Sequence, residues 1–227
     1  MRRPDGALVC RNVDVVYPTP TGAVDALVDV TTSFSRGELT VVAGPSGSGK
    51  SSLLRLLAAL ERPSAGEVLL DDENIGRASR RRRRSLRRAH IAFVGSHTRG
   101  AMTPGSTLDE ELQLVAAVRG AAPGWEDAAA ARLEAVGLGD RRGDRAVALS
   151  GGEQQRAAVV AALVGDPPIL LADEPTAALD SATATLLLAL LHQAADAGTT
   201  VVIASHDPAV ISTADHVVNL RSGRLVR

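Results

Sequence analysis

The chain has 227 residues, of which 45% are hydrophobic and 2% aromatic, and its formal net charge is -1 at pH 7. This length allows a substantial buried core without disulfides, and the near-zero charge argues against nonspecific nucleic-acid binding as the main function. Cys10 is the only cysteine, so we expect no internal disulfide and a small core residue on the first strand. The longest apolar segments fall short of the roughly twenty residues that a bilayer span requires, so we expect any membrane role to come through a partner.

Short apolar segments alternate with helical ones along the chain, a pattern typical of an α/β fold with a largely parallel sheet. We predict strands over residues 8–17, 25–34, 38–43, 67–70, 91–94, 168–172, 199–204 and 216–220. The first strands have no helices between them, so we expect them to form a small antiparallel layer. Strand signals vanish between about 97 and 149, and helical patterns at 107–119 and 125–136 indicate a helical lobe there.

The segment GPSGSGKSS at residues 44–52 matches the phosphate-binding pattern GxxxxGK[ST] between an apolar segment and a helical one. Its glycines let successive backbone N–H groups turn inward around a phosphate chain. Lys50 is placed to reach the β- and γ-phosphates, and Ser51 offers a hydroxyl to Mg²⁺. The helix that begins here adds its positive N-terminal end. Nucleotide binding is therefore favoured over a glycine-rich turn that binds nothing.

The motif LSGGEQQR at residues 149–156 predicts the start of a helix. Ser150 and Glu153 have the spacing of a capping box. Gly151 and Gly152 leave the N–H groups of the first turn open to an anion. Taken alone, the same residues would also suit an ordinary cap on an ordinary helix.

Polar side chains follow two apolar strands further along the chain. Asp173 and Glu174 end the strand in PPILLADEP, where adjacent side chains point in different directions and can serve magnesium and an attacking water. A solvated carboxylate pair is the plainer interpretation. Asp180 starts the next helix and suits an N-cap, and His206 directly follows the strand in TTVVIAS. Strand ends at one edge of a parallel sheet are where ligands bind in such folds.

Together, the phosphate loop, LSGGEQQR, ILLADEP, the ALD triplet and His206 resemble the nucleotide-binding subunit of an ATP-binding cassette (ABC) transporter over nearly the whole chain. ADEPT followed by ALD is similar to the ATPases of lipoprotein-release, macrolide-export and cell-division systems. The resemblance implies an α/β P-loop NTPase (RecA-like) core with a mainly parallel sheet, an N-terminal antiparallel β layer and an inserted α-helical subdomain. It implies one domain over 1–227, with 1–96 and 150–227 as core and 97–149 as the helical subdomain.

The resemblance also implies a role for each matching residue. Glu174 would be the general base, His206 would contact the γ-phosphate, and Lys50 would act with them on the phosphates. Tyr17 would stack on adenine, although edge-strand packing would also explain it. ATP would be held by Tyr17, Gly44, Pro45, Ser46, Gly47, Ser48, Gly49, Lys50, Ser51, Ser52, Ser150, Gly151, Gly152, Glu153 and Asp180. Mg²⁺ would be held by Ser51, Asp173 and Ser96.

The implied assembly is a head-to-tail homodimer of ATPase subunits at the cytoplasmic face of the inner membrane, driving a separate transmembrane permease and binding no nucleic acid. Ser150 and Gly152 would complete the site of the opposite subunit. Ser96 stands where the family carries a glutamine, which predicts slow or partner-dependent hydrolysis and leaves open a soluble or regulatory cassette. The arginine run RASRRRRRSLRR at residues 77–88 suits a solvated surface helix or a contact with anionic lipid.

Overall fold

The computed structural model describes residues 6–20, 22–96, 102–103 and 105–226. The strands in this part of the chain are β1 (Gly6–Thr19), β2 (Gly22–Ser35), β3 (Leu39–Ala43), β4 (Ala65–Leu70), β5 (Glu73–Asn74), β6 (Ile91–Val94), β7 (Ile169–Asp173), β8 (Thr200–Ser205), β9 (His216–Arg221) and β10 (Arg224–Val226). The α-helices are α1 (Lys50–Leu57), α2 (Arg80–Ala89), α3 (Leu108–Arg119), α4 (Trp125–Ala135), α5 (Gly151–Ala162), α6 (Ser181–Asp196) and α7 (Pro208–Ile211). Short 3-10 turns lie at Gly139–Arg141 and Ala146–Ala148.

The larger sheet has six strands in the order β10-β9-β3-β8-β7-β6. All its neighbouring pairs are parallel except β9 and β10, which form a hairpin at one edge. The central strands are buried along their whole length and rich in Val, Ile and Leu, as expected for a parallel sheet covered on both faces. This sheet confirms the predicted α/β fold with a largely parallel core.

The smaller sheet is antiparallel, with four strands in the order β2-β1-β4-β5. It confirms the predicted antiparallel layer but corrects its membership. The third predicted strand, β3, belongs to the parallel sheet, and β4 takes its place beside β1. The short strands β5 and β10 carry too few residues for a periodic pattern, and the sequence did not predict them.

Alternate residues of the central strands face two separate cores. In β7, Leu170 packs in a core formed with the helices α3 to α6, while Ile169 and Leu171 pack in a core shared with α1 and the antiparallel sheet. Each core side chain of this size contributes about 1.5–3 kcal/mol relative to an exposed one. The parallel sheet is therefore packed between two hydrophobic cores, one on each face, and this packing holds its strand ends in place.

Other predictions concern the regions around these cores. Cys10 is fully buried in β1, and burial raises the pKa of its thiol to about 12, which confirms an inert core cysteine. Trp125 packs against the core of the helical region, as expected. Within the described residues, no helix is both long and apolar enough to cross a bilayer. The division of the chain at residues 97 and 149 stays a prediction, and residue 97 lies outside the described residues.

Candidate active site

Four predicted motifs come together because the strands that carry them end side by side. Ala43, the last residue of β3, pairs with Ser205 at the end of β8. Asp173 pairs with Ala204, and Val94 at the end of β6 pairs with a residue of β7. The segments that follow these strands therefore share the carboxyl edge of the sheet, where doubly wound folds bind ligands.

A cleft of about 530 Å³ lies at this edge. Predicted site residues that line it are Tyr17, Ser46, Gly47, Gly49, Lys50, Ser51, Ser52, Ser96, Asp173, Glu174 and His206. Its dimensions fall within the 300–1,000 Å³ typical of small-molecule sites.

The phosphate loop is held against two neighbouring segments at its glycines. Gly49 has a φ of 105°, and a Cβ there would stand 2.4 Å from the carbonyl oxygen of Ala26. A Cβ on Gly44 would stand 2.1 Å from the carbonyl oxygen of Leu220. Only glycine lets the loop approach the backbones of β2 and β9 this closely. Ser48 lies inside the loop, buried, with an Oγ that has no hydrogen-bond partner among the described residues.

Lys50 begins helix α1 and is almost completely buried, with 6% of its side chain exposed. Its Nζ donates to the carbonyl oxygens of Gly44 at 2.8 Å and Pro45 at 3.1 Å. The Nζ also lies 3.7 Å from Glu174 Oε1. A buried ammonium group is costly unless it is hydrogen-bonded or paired with an opposite charge. The loop carbonyls and the nearby Glu174 carboxylate meet this need for Lys50.

The adjacent carboxylates Asp173 and Glu174 have different environments. Asp173 closes β7 and is buried, and its Oδ1 has no hydrogen-bond partner among the described residues. Glu174 has a left-handed backbone, φ 50°, which costs a non-glycine residue about 1–3 kcal/mol. Its Oε1 lies 2.8 Å from His206 Nδ1, and the Ser205 hydroxyl donates to its Oε2 at 3.4 Å. Strained residues of this kind concentrate at functional sites.

Tyr17 lies on β1 at the mouth of the cleft, and its ring is half-buried. Its hydroxyl donates to the carboxylate of Glu61 and lies 3.2 Å from Ser52 Oγ. Burial and then the hydrogen bond to Glu61 raise the pKa of the Tyr17 phenol. The polar end of the Tyr17 side chain is thus bonded to α1 through Ser52 and to the segment after α1 through Glu61.

The LSGGEQQR segment forms the predicted capping box at the start of α5. Glu153 N donates to Ser150 Oγ at 3.3 Å, and Ser150 N donates to Glu153 Oε2 at 2.7 Å. This backbone bond lowers the pKa of the Glu153 carboxyl. Ser150, Gly151, Gly152 and Glu153 are not among the described residues that line the cleft. Within one chain, the structure therefore leaves this motif apart from the phosphate loop.

Asp180 caps helix α6, as predicted, and it also lies outside the cleft lining. Its carboxylate accepts from Thr183 N and Thr183 Oγ1, both at 2.9 Å. The backbone bond lowers the pKa of this carboxyl. The structure gives Asp180 a local capping role and no direct contact with the cleft of its own chain.

Sequence reasoning missed four residues that line the cleft. Val24, Asp25 and Ala26 come from β2, and Ala177 follows the DEPT segment. The β2 residues reach the cleft because the long β1-β2 hairpin folds over the phosphate loop. No local pattern distinguishes them, since their position depends on the packing of one sheet on the other.

A phosphate loop between a parallel strand and a helix, with two carboxylates and a histidine on the neighbouring strand ends, defines a P-loop nucleotide hydrolase. Residues 27–177 match the model of the ABC transporter family. The chain therefore belongs to the ABC transporter family. The resemblance inferred from the motifs is confirmed.

Two relatives place the chain in this family. It is 39% identical over 220 residues to the macrolide export ATP-binding/permease protein MacB 1/2 of Paracoccus denitrificans, covering 95% of this chain and 32% of the relative. It is 38% identical over 217 residues to an uncharacterized ABC transporter ATP-binding protein of Thermotoga maritima, covering 94% of this chain and 92% of the relative. The chain thus spans about a third of the length of the MacB relative.

Solved structures agree with the fold. A dimeric bacterial ABC transporter cassette, MJ0796, superposes with a TM-score of 0.88 at 33% identity, covering 97% of both chains. A post-hydrolysis state of that cassette, bound to ADP and Pi, gives a TM-score of 0.86 at 32% identity. These similarities confirm the predicted P-loop cassette fold.

Proposed function

We propose that the chain is the ATPase subunit of an export-type transporter, in which two copies close on ATP and drive a transmembrane permease. The proposal rests on one observation: within a single chain, the LSGGEQQR motif lies apart from the other nucleotide-binding motifs. The phosphate loop, Asp173, Glu174 and His206 share one cleft, whereas the LSGGEQQR motif lies outside it. A complete site then requires a second copy to supply that motif.

We assign hydrolysis of the γ-phosphate to Glu174 and the two residues that lie beside it, Lys50 and His206. Glu174 accepts the proton of the attacking water, a general-base role that contributes typically 10²–10⁴-fold to a rate. His206 Nδ1 lies 2.8 Å from Glu174 Oε1, and the imidazole contacts the γ-phosphate. Lys50 exchanges its contacts with the loop carbonyls for the β- and γ-phosphates. These assignments follow the roles expected from the family motifs.

Mg²⁺ fits the residues present. The buried Asp173 Oδ1 lacks a hydrogen-bond partner among the described residues, and the Ser51 hydroxyl lines the same cleft. Mg²⁺ prefers such hard oxygen ligands and is bound by one or two protein groups together with substrate phosphates. In the described part of the chain, no three His, Cys, Asp or Glu side chains cluster around a possible metal position, so the phosphates would supply the remaining ligands. When bound, the ion would neutralise charge on the transferred phosphoryl group.

The dimer is supported by the geometry of α5. Its capping box satisfies Ser150 and Glu153 locally and leaves the first-turn glycines to face an anion. MJ0796, the structural relative, is a dimeric cassette. We propose that Ser150 and Gly152 complete the γ-phosphate site of the partner copy, and that Asp180 lies near the same interface.

A groove of about 270 Å³ is the proposed contact with the permease. It lies between the end of β6 and helices α3 and α5, with Phe93, Met102 and Ala158 among its largely apolar walls. Leu114 and Val118 of α3 lie beside it on one helical face and expose 54% and 52% of their surface. The MacB relative is an ATP-binding/permease protein. The groove therefore suits an apolar segment of a permease at the cytoplasmic face of the inner membrane.

The basic helix α2 is the proposed contact with anionic lipid. Arg83 and Arg87 donate to backbone carbonyls after α1, so they are not simply solvated. Arg80, Arg81 and Arg84 are exposed and extend the positive surface. Each such charge contributes about 1 kcal/mol near an anionic membrane. Binding to phosphatidylserine vesicles that disappears at high salt supports the contact, and equal binding by neutral vesicles contradicts it.

Slow or regulatory ATP use is the alternative function, and one observation favours it. Ser96 lines the cleft, and the motif resemblance implies a glutamine at this position in the family. A serine is too short to reach the position of a glutamine amide, although a bridging water can replace part of the contact. A cassette of this kind would bind ATP tightly and turn it over mainly when its partner is present.

Mixing of inactive variants tests the composite dimer. Lys50→Ala and Ser150→Ala are each expected to be inactive, but a mixed dimer contains one intact site because the two residues act in different copies. Mixing should therefore restore ATP turnover. The control is a mixture of Lys50→Ala with Glu174→Gln, which restores nothing because both residues serve the same cleft. Absence of recovery in the first mixture, with both variants folded, contradicts the proposed dimer.

A further inference from the structure

Glu61 is a carboxylate that the proposed chemistry does not use, yet it is bonded to the aromatic residue at the mouth of the cleft. It accepts the hydrogen bond of the Tyr17 hydroxyl, which also lies 3.2 Å from Ser52 Oγ. Glu61 lies just beyond the C-terminal end of α1, and Ser52 lies in the first turn of that helix. The Tyr17 hydroxyl is therefore tied to both ends of the helix that begins at the phosphate loop.

Glu61 is itself held in place by basic side chains. Its Oε1 lies 3.7 Å from Arg55 Nη1, and its backbone carbonyl accepts from Arg83 Nη1 at 3.4 Å. Arg87 donates to the carbonyl of Ala59 in the same turn at 2.7 Å. Cations at the C-terminal carbonyls of a helix stabilise its end. Two arginines of α2 thus stabilise the turn that contains Glu61.

The Tyr17 ring packs on one side against the core shared with α1 and the antiparallel sheet, and its other side is open. Its strand neighbours Val16 and Val24 are exposed by 38% and 52%, so this end of the hairpin lies at the surface. A half-buried aromatic ring with its polar end free would sample several rotamers. The hydrogen bonds to Glu61 and Ser52 limit the ring to a position facing the cleft.

We propose that Glu61, assisted by Ser52, is a positioning residue that holds the Tyr17 ring as a stacking surface for the nucleotide base. This rests on the proposed contact between Tyr17 and the base. Glu61 does not touch the nucleotide and acts only through Tyr17. Loss of Glu61 should therefore weaken binding of the base and leave binding of the phosphates unchanged. A phenol with its ordinary pKa of about 10 is already protonated at neutral pH, so Tyr17 remains a donor, and burial and the bond to Glu61 raise its pKa further.

The test compares two ligands that share phosphates but differ in the base. Binding of ATP and of inorganic tripolyphosphate is measured, without Mg²⁺ to prevent turnover, by displacement of a fluorescent ATP analogue. Glu61→Ala should weaken ATP binding about three- to tenfold and leave tripolyphosphate binding unchanged, since stacking concerns the base alone. Glu61→Gln, which still accepts a hydrogen bond, should recover most of the affinity. The control is Glu67→Ala, which removes a similarly exposed carboxylate paired with Arg77.

A double-mutant cycle separates positioning from a general loss of structure. Tyr17→Phe keeps the ring but loses the hydroxyl, so it should match Glu61→Ala, and the double variant should be no weaker than either. Unchanged ATP affinity in Glu61→Ala, or an equal loss for tripolyphosphate, overturns the inference. Tyr17→Ala reports separately on the proposed function, with an expected loss of about ten- to a hundredfold for ATP only. If Tyr17→Ala changes nothing, the base contact itself is wrong.

Discussion

The close approach of the phosphate loop to β2 gives a prediction whose size follows from the structure. In Gly49→Ala, the new Cβ would stand 2.4 Å from the Ala26 carbonyl oxygen and 2.9 Å from Leu27 Cδ2. The backbone φ of 105° adds strain of about 1–3 kcal/mol for any side chain. Displacing a well-packed strand costs about 1–3 kcal/mol more. We therefore expect the free energy of unfolding to fall by about 2–6 kcal/mol.

Gly47→Ala is the matched control, because a Cβ there meets no atom within 4 Å although φ is 76°. It should lower the free energy of unfolding by only about 1–2 kcal/mol. Urea denaturation of both variants measures the difference, and displacement of a fluorescent ATP analogue measures nucleotide binding. Gly49→Ala should also lose ATP affinity, since Ala26 lines the cleft. Equal stability of the two variants would refute the reasoning from close packing.

Three further outcomes are expected. Ser96→Gln should raise ATP turnover above that of wild type, because it restores the missing amide; equal turnover of the two proteins, both with and without the permease, would contradict this. Ser150→Ala should lose about 1 kcal/mol of stability in urea denaturation through the broken cap, and should lose ATP turnover, but retain ATP binding to one chain. The folded-state pKa of Glu153 is lowered, so its stabilising contribution is present above the ordinary carboxyl pKa and is lost as pH falls through the folded value. Wild type should therefore lose more stability than Glu153→Gln between about pH 5 and pH 3, and parallel curves would contradict this.

Local patterns in the sequence predicted most of the fold. Apolar segments identified eight strands, and the capping box of Ser150 and the N-cap of Asp180 are present as expected. These features depend on neighbours within a few residues, which is why they can be read from one sequence. The strands β5 and β10 depend on pairing with distant segments and carry too few residues for a periodic signal.

Site residues at the ends of parallel strands could be predicted from the sequence. Site residues that reach the cleft through packing of one sheet against the other could not. The edge positions of Asp173, Glu174 and His206 follow from parallel strand order. The contribution of Ala26, by contrast, depends on the fold of the β1-β2 hairpin over the phosphate loop. The contact of Arg87 with the backbone after α1 was also unpredictable, because the arginine-rich sequence of α2 suggests only a solvated helix.

The most direct test of the account is recovery of the trapped cassette with its partner. Tagged Glu174→Gln protein is isolated from its native membranes with ATP and Mg²⁺ present, and copurified proteins are identified by mass spectrometry. Glu174→Gln keeps the cleft intact but removes the general base, so the closed dimer should persist. The Lys50→Ala variant, which should not close on ATP, is the control. We expect a polytopic membrane protein in similar amount with Glu174→Gln alone. Recovery of ribosomes, DNA or no membrane protein would contradict the transporter function.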